Sequence, residues 1–368
     1  MAWHITAALV LIPALMAAAG DTAPAGKLVL GGLDPVALVQ GTELKGSPGT
    51  FVDHFGYRYL FASAQNKDAF LKDPGRHAVQ NGGACAKMGP LSGKGSPDRF
   101  VVHDGRIFLF ASDSCRDRFK AEPERYIDRA DPVPEGTEEQ IARAGALLDK
   151  AVEGAGGAAR LERLRTYQAA IALEWKRASG TVSGSRRVTI AFPDRYREDE
   201  SWSDSAYGWL LLPEGGFLTS GGAGEPADAA VRDYMAREVA REPLVLLKSR
   251  RLPGFKAVAA GAGKVGGTAV SWLDVSIHGA TTRLGIDEAT GRIVQTSYTG
   301  RAGAGIAPVV RDYSDFRRVD GMMIPFSVVT TFDGKPLENP TLIYQSVTLD
   351  GAIPAADLAA PPAPASKG

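Results

Sequence analysis

Cysteine is nearly absent from this chain: 368 residues hold only Cys85 and Cys115. A scaffold stapled by several disulfides is thereby excluded, since two thiols allow one bridge or none. Net charge is absent too. Lysine and arginine number 42, and aspartate and glutamate number 42, so no global field draws nucleic acid or an anionic lipid surface. Beyond the N-terminus no apolar run reaches about 18 residues, and nothing else in the chain reads as membrane-spanning. Catalytic signatures are missing as well: there is no Gly-x-Ser-x-Gly, no His-Glu-x-x-His and no paired-carboxylate motif. The one glycine-rich match, Gly261-Ala262-Gly263-Lys264-Val265-Gly266, leads into the strand pattern Thr268 to Ile277. A dinucleotide-binding turn needs a helix there, and a phosphate loop needs Ser or Thr after the lysine. The segment therefore reads as a hairpin loop.

What is present begins with Met1 to Ala19, which contain no Asp, Glu, Lys or Arg. Ile5 to Ala19 is apolar, interrupted by Pro13, and ends in Ala17-Ala18-Ala19 before Gly20-Asp21. That is the anatomy of a secretory signal peptide, although the usual basic residue is missing. The expected address is the periplasm or beyond. Length alone suggests two or three domains.

A repeat follows. Lys45 to His77 and Lys94 to Tyr126 align without a gap at a constant offset of 49, placing Gly56 on Gly105, Phe61 on Phe110, Phe70 on Phe119 and Pro74 on Pro123. Such a match implies one supersecondary unit built twice. Each copy reads strand, tight turn, strand, helix. Asp104-Gly105 is a hairpin turn by composition, and Ile107 to Phe110 is apolar on both faces, hence buried. Ser63 and Ser112 stand where an N-cap is expected. Pro74 and Pro123 stop the helices, because the residue before proline is pushed out of the α region. His54 and His103 are read as falling at non-matching positions of the repeat, and with His77 they have packing or surface roles available, the usual lot of lone histidines.

This pattern resembles the YHS domain family, related to metal-binding TRASH domains, over roughly residues 31–127. The resemblance rests on Asp34-Pro35-Val36, on Tyr59–Ser63 and Phe108–Ser112, and on the Phe-x-x-x-Pro-x-x-Tyr/His ends. Metal-binding members are expected to carry three cysteines. The first copy has Ala37, Ala62 and Asn66 at those places; the second keeps Cys85 and Cys115, with Ala111 replacing the middle one. The resemblance implies that Cys85 and Cys115 lie together. Three readings stand in order: a Cys85–Cys115 disulfide, a soft-metal site for copper with Met88 and either His77 or His103, and two unpaired thiols. An enzyme using the Cys115 thiolate is a further alternative, without a visible partner base.

Asp131 to Gly136 is a linker by composition, ending a repeat region of residues 27–130. Thr137-Glu138-Glu139-Gln140 reads as a capping box, opening a helix with Ile141, Leu147, Leu148 and Val152 as its apolar stripe. From Tyr167 the period becomes two, with strand patterns through Val188–Phe192, Trp272–Ile277, Leu284–Ile286 and Ile293–Tyr298. Asp228 to Arg241 reads as helical. Ile324–Phe332 and Thr341–Leu349 are expected to pair as a hairpin around Asp333-Gly334. Residues 137–361 resemble the LolA-like superfamily of lipoprotein carriers, through Asp287-x-x-Thr290-Gly291, Tyr313–Gly321 with Pro325, and Asp357-Leu358-x-x-Pro361. Residues 362–368 form a tail.

The fold class expected is α+β: two hairpin-helix YHS-like units, then a curved antiparallel half-barrel sheet with helices on its concave side. The resemblances imply a periplasmic, non-enzymatic binding protein. Its second domain would take a lipid or other apolar ligand, while the first binds metal or a protein partner.

Overall fold

The computed structural model describes residues 26–302 and 305–363. The expected signal peptide and residues 364–368 lie outside the described residues. The repeat is visible as matching elements. A short strand β1 (Lys27–Leu28) and helix α1 (Pro35–Val39) precede β2 (Ser47–His54), β3 (Tyr57–Phe61) and α2 (Ala64–Lys72), with a single turn α3 (Pro74–His77) after them. The second copy gives β4 (Ser96–His103), β5 (Arg106–Phe110) and α4 (Asp113–Ala121). Both hairpins turn through two residues of positive φ, Phe55-Gly56 and Asp104-Gly105, the geometry that matches strand twist. Ser63 and Ser112 cap their helices as read, accepting from the amides of Asn66 at 3.1 Å and Cys115 at 3.2 Å.

Each helix anchors on one fully buried ring. Phe70 lies 4.8 Å from Tyr59 and 5.3 Å from Phe61, and Phe119 lies 5.0 Å from Phe108 and 5.1 Å from Phe110. Neither copy closes its core alone. Ile107 and Leu109 of β5 turn away from α4 into the first copy's cluster, against Tyr59, Phe61 and Phe70. Alternation along one strand thus serves two cores, which explains a strand apolar on both faces. His54 and His103 prove to be equivalent, 49 residues apart. Each meets its helix phenylalanine edge-on, at 5.7 and 6.0 Å; read as unrelated lone histidines, they conceal this.

The rest is mixed α+β with a large antiparallel sheet system that is not closed into a barrel. Helices α5 (Glu138–Ala155) and α6 (Ala158–Arg163) lead in. The capping box is formed: the Gln140 amide donates to Thr137 Oγ1 at 3.3 Å and the Thr137 amide to Gln140 Oε1 at 2.9 Å. The buried stripe of α5 differs from expectation. Ile141 is 52 % exposed, while Ala144, Leu147, Ala151 and Val152 are buried. Small residues let the helix approach the sheet closely, and a Cβ on Gly154 would collide with the Gly291 backbone at 2.2 Å.

Six strands follow: β6 (Thr166–Arg177), β7 (Gly180–Ala191), β8 (Arg195–Trp202), β9 (Ala206–Leu212), β10 (Gly215–Ser220) and β11 (Ala223–Pro226). Helices α7 (Ala229–Ala240) and α8 (Pro243–Ser249) interrupt. Then come β12 (Lys256–Val265), β13 (Thr268–Ile277), β14 (Ala280–Asp287), β15 (Ile293–Ala302), β16 (Gly305–Val319), β17 (Met322–Phe332), β18 (Lys335–Pro336) and β19 (Thr341–Leu349). The glycine-rich segment at Gly261 lies in the β12–β13 hairpin, as read.

The expected single sheet is two. One runs β11-β10-β9-β8-β7-β6-β19 and the other β12 to β18 in chain order. The expected β17–β19 hairpin does not form. β17 turns back on the two-residue β18, and β19 crosses to pair along β6, from Thr341↔Glu174 to Leu349↔Tyr167. β18 ends at Pro336 and Pro340 stands just before β19, and neither proline can donate to a ladder. α5, α8 and both sheets share one core around Leu147, Leu246, Leu273, Ile286 and Leu349.

The segment read as a linker is fastened. The Asp131 carboxylate accepts from Arg241 at 3.1 Å and from the Thr281 amide at 2.9 Å. Arg301 donates to Asp128 at 2.8 Å and to the Tyr126 carbonyl at 2.6 Å, tying the repeat region to β15. Asp228 accepts from the Val231 amide at 2.8 Å, capping α7, and from the Gly82 amide at 2.5 Å.

Candidate functional site

Strand alternation builds a graded inner face on the first sheet. Its rungs follow from register. Tyr167, Ile190, Tyr196 and Leu211 form one; Ala169, Val188, Glu198 and Trp209 the next; Ile171, Arg186, Glu200 and Tyr207 the third. Apolar side chains give way to charged ones over two steps, about 7 Å each along a strand. β16 repeats the gradient, with Tyr313 at the apolar level and Arg311 two residues earlier.

The apolar end is a chamber beneath α5 and α8. It is walled by Ala151, Ala155, Leu244 and Leu247 from the helices and by Tyr167, Ala169, Ile190, Tyr313 and Tyr344 from the strands. About 120 Å³ is open to the centres of water-sized spheres, and about 970 Å³ is free of atoms out to the mouth. Burial drives the phenols of Tyr167 and Tyr196 well above their ordinary range and pushes Tyr344 up to about 12, so all three hydroxyls stay neutral at physiological pH. Two carboxylates, Glu198 and Glu242, reach the chamber wall.

Outside the chamber lie two further spaces. A groove of about 850 Å³ runs between Arg186, Glu200, Tyr207 and Trp209 and the Met88–Lys94 segment of the repeat region. A second, of about 400 Å³, is lined by Arg186, Tyr298, Arg311 and Leu337–Leu342. Chamber and first groove share Glu198, chamber and second groove share Val328, and both grooves share Arg186. Arg186 donates to Glu200 at 2.7 Å and lies 3.7 Å from Glu198, and Arg311 donates to Glu242 at 3.0 Å. Burial alone would raise the Glu200 carboxyl, but Arg186 and the donors of Tyr207 and Trp202 hold it below its ordinary value. These charged rungs escaped the sequence reading; the signal was Arg186, Glu198 and Glu200 at strand positions in phase with the apolar Val188 and Ile190.

The cysteine site is built on the repeat. In the first copy the buried Asp34 carboxylate accepts from the amides of Val36 (2.9 Å), Ala37 (3.2 Å) and Ala62 (2.7 Å) and from Asn66 Nδ2 (2.8 Å). In the second, the amides of Met88 and Ala111 donate toward the Cys85 sulfur, and the Cys85 thiol donates toward Cys115. The backbone proves the equivalence. Asp34 N donates to Leu44 O and Gly46 N to Gly32 O, as Cys85 N does to Gly93 O and Gly95 N to Gly83 O. Cys85 therefore replaces Asp34, two residues beyond the constant offset, and Cys115 replaces Asn66.

The two cysteines are free thiols, joined by a hydrogen bond rather than a covalent bond. Burial pushes the Cys85 thiol up. His77 is not gathered with them: its Nδ1 faces the Asp73 carbonyl at 2.9 Å. Met88 is 47 % exposed and lines the large groove. Among the described residues, the donors that cluster within 4.8 Å are those of His103, Asp104 and Glu124, on the surface. No described helix is long and apolar enough to cross a membrane.

No family model matches this chain, and no curated protein matches it. Solved structures do. An outer-membrane lipoprotein-sorting protein domain from Vibrio parahaemolyticus is 12 % identical, with TM-score 0.40, over 58 % of this chain and 97 % of its own. A LolA superfamily protein from Nitrosomonas europaea is 10 % identical, with TM-score 0.40, over 57 % and 94 %. A DUF1329 family protein from Desulfovibrio piger is 11 % identical, with TM-score 0.36, over 59 % and 97 %.

Proposed function

We propose that the chain is a periplasmic, non-enzymatic binding protein whose C-terminal chamber takes up a lipid or other apolar ligand. The observation that carries this reading is the chamber itself. It is a concave, mostly apolar space with a few polar groups at its wall, the usual form of a small-molecule site. The residues that resemble the LolA-like superfamily lie in the same region, with Phe316 and Pro325 on the chamber wall. The repeat region, a YHS-like module in this reading, supplies the far wall of the groove through Met88 and Leu91 and offers its outer surface to a partner.

The test uses N-phenylnaphthylamine, a neutral apolar dye that brightens when desolvated. Wild-type protein is expected to bind it. Ala155→Phe, which fills the chamber from a half-buried position, is expected to weaken binding at least about tenfold, or about 1.4 kcal/mol, with an unchanged circular dichroism spectrum. Failure of the wild type to take up the dye overturns the reading.

A second reading, copper held at Cys85 and Cys115, is favoured by the hydrogen-bonded thiol pair, since soft thiolates select Cu(I). In this reading Cys85 and Cys115 supply the sulfur donors, and Met88 and His77 stay outside the set.

A further inference from the structure

We propose that the ligand is an amphiphile with a zwitterionic head, its cationic group held by Glu198 and Glu242 and its anionic group by Arg186 and Arg311. The inference rests on the chamber taking the apolar tail. It starts from a feature the tail does not need. Two Arg–carboxylate pairs, Arg186–Glu198 at 3.7 Å and Arg311–Glu242 at 3.0 Å, each join a residue of the chamber lining to a residue of the groove linings.

As stabilising devices these pairs are poor. Charges withdrawn from water lose hydration that their mutual attraction barely restores, and apolar residues of the same size often serve stability as well or better. The pairs are also split in space. Their carboxylates, Glu198 and Glu242, line the chamber, whereas their guanidinium groups, Arg186 and Arg311, line the second groove. Glu198 accepts a further bond from the Tyr196 hydroxyl at 3.1 Å, and the Arg311 guanidinium lies 5.5 Å from the Tyr298 ring. A head group leaving the chamber therefore passes between acids on one side and bases on the other.

The pairing decides which head fits. A purely anionic head must compete with Glu242 or Glu200 for a guanidinium and leaves a carboxylate facing like charge. A purely cationic head leaves a guanidinium without its partner. A zwitterion answers both charges at once, exchanging an internal pair for two pairs with the ligand. Charge-assisted hydrogen bonds to guanidinium favour a planar or tetrahedral oxyanion, carboxylate or phosphate, as the anionic part.

The experiment displaces N-phenylnaphthylamine with three twelve-carbon amphiphiles below their micelle concentrations: N-dodecyl-N,N-dimethylglycine, whose cation lies next to the tail and whose carboxylate lies outermost, dodecyl sulfate and dodecylammonium. Wild-type protein is expected to release the dye at an at least about tenfold lower concentration of the zwitterion than of either ion. Arg186→Met is expected to shift preference toward dodecylammonium, and Glu198→Gln toward dodecyl sulfate. Circular dichroism establishes that each variant folds. If dye binds and all three amphiphiles displace it equally, or one single-charged head wins, the inference is overturned while the chamber reading stands. If dye does not bind the wild type, both fall together.

Discussion

In the first repeat copy a buried carboxylate, Asp34, gathers three backbone amides and the Asn66 side chain; in the second, the corresponding backbone closes on the sulfur of Cys85, with Cys115 in place of Asn66. The loop and helix termini are the constant part, and the side chains that fill them are interchangeable. What changes is chemistry. Asp34 and Asn66 form a knot with its hydrogen bonds satisfied and nothing left to react. Cys85 and Cys115 can be oxidised, alkylated or metallated, and Cys115 lies half-exposed in the first turn of α4. One copy holds the fold; the other holds the same shape open to reaction.

The widest separation between the copies is expected in stability. Asp34→Ala strands several buried donors and should lower the unfolding free energy by about 3 kcal/mol, at about 1–3 per unmet group. Cys85→Ala removes one small, weak acceptor and should lower it by about 1 kcal/mol. Urea denaturation of both variants decides; equal losses would mean that the thiol pair is as structural as the carboxylate. Grafting sharpens the comparison. Cys85→Asp with Cys115→Asn writes the first copy's chemistry into the second and should fold within about 1 kcal/mol of wild type. A graft that fails to fold would deny the equivalence of the two cradles.

The smallest effect concerns the paired histidines. Burial lowers the imidazole pKa of His54, with Asp228 partly opposing. Above the ordinary value of 6.5 both folded and unfolded chains hold it neutral, and its contribution to stability is full. As pH falls through 6.5 the unfolded chain takes the proton first, so stability declines until the lower, folded pKa is passed. His54→Gln should flatten that decline between pH 7 and 5, by well under about 1 kcal/mol once its partial exposure is allowed for. His103 instead faces Glu124 at 3.5 Å and Asp104 at 3.7 Å. Urea denaturation of His54→Gln across that pH range decides, and a decline that survives unchanged would overturn the expectation.

Local chemistry was legible in the residues. Ser63, Ser112, the Thr137–Gln140 box and the Asp104-Gly105 turn announce their elements because caps and turns are decided within a few residues. Pairing at a distance was not. Thr341–Leu349 looks like the return strand of a hairpin, and its choice of β6 depends on a prolyl connection and on a core assembled from both sheets. The equivalence of Asp34 and Cys85 was hidden by the ungapped alignment itself, since the lead-in to the second copy is two residues out of step. Arg186, Glu198, Glu200 and Arg311 drew no reading from the sequence, because only strand register puts them on the inner face. Ile141 shows the converse: an apolar residue in helical phase still points to water when small neighbours do the packing.

Asp228 has a consequence for how the molecule melts. The same carboxylate starts α7 in the sheet region and receives the Gly82 amide from the repeat region, while Arg301 and Asp131 fasten the two regions elsewhere. Unravelling the sheet region strips Gly82 and Asp128 of their partners, and unravelling the repeat region strips Asp228 and Arg301 of theirs, so neither can be lost cheaply on its own. A calorimeter heating this chain should record one endotherm, not two.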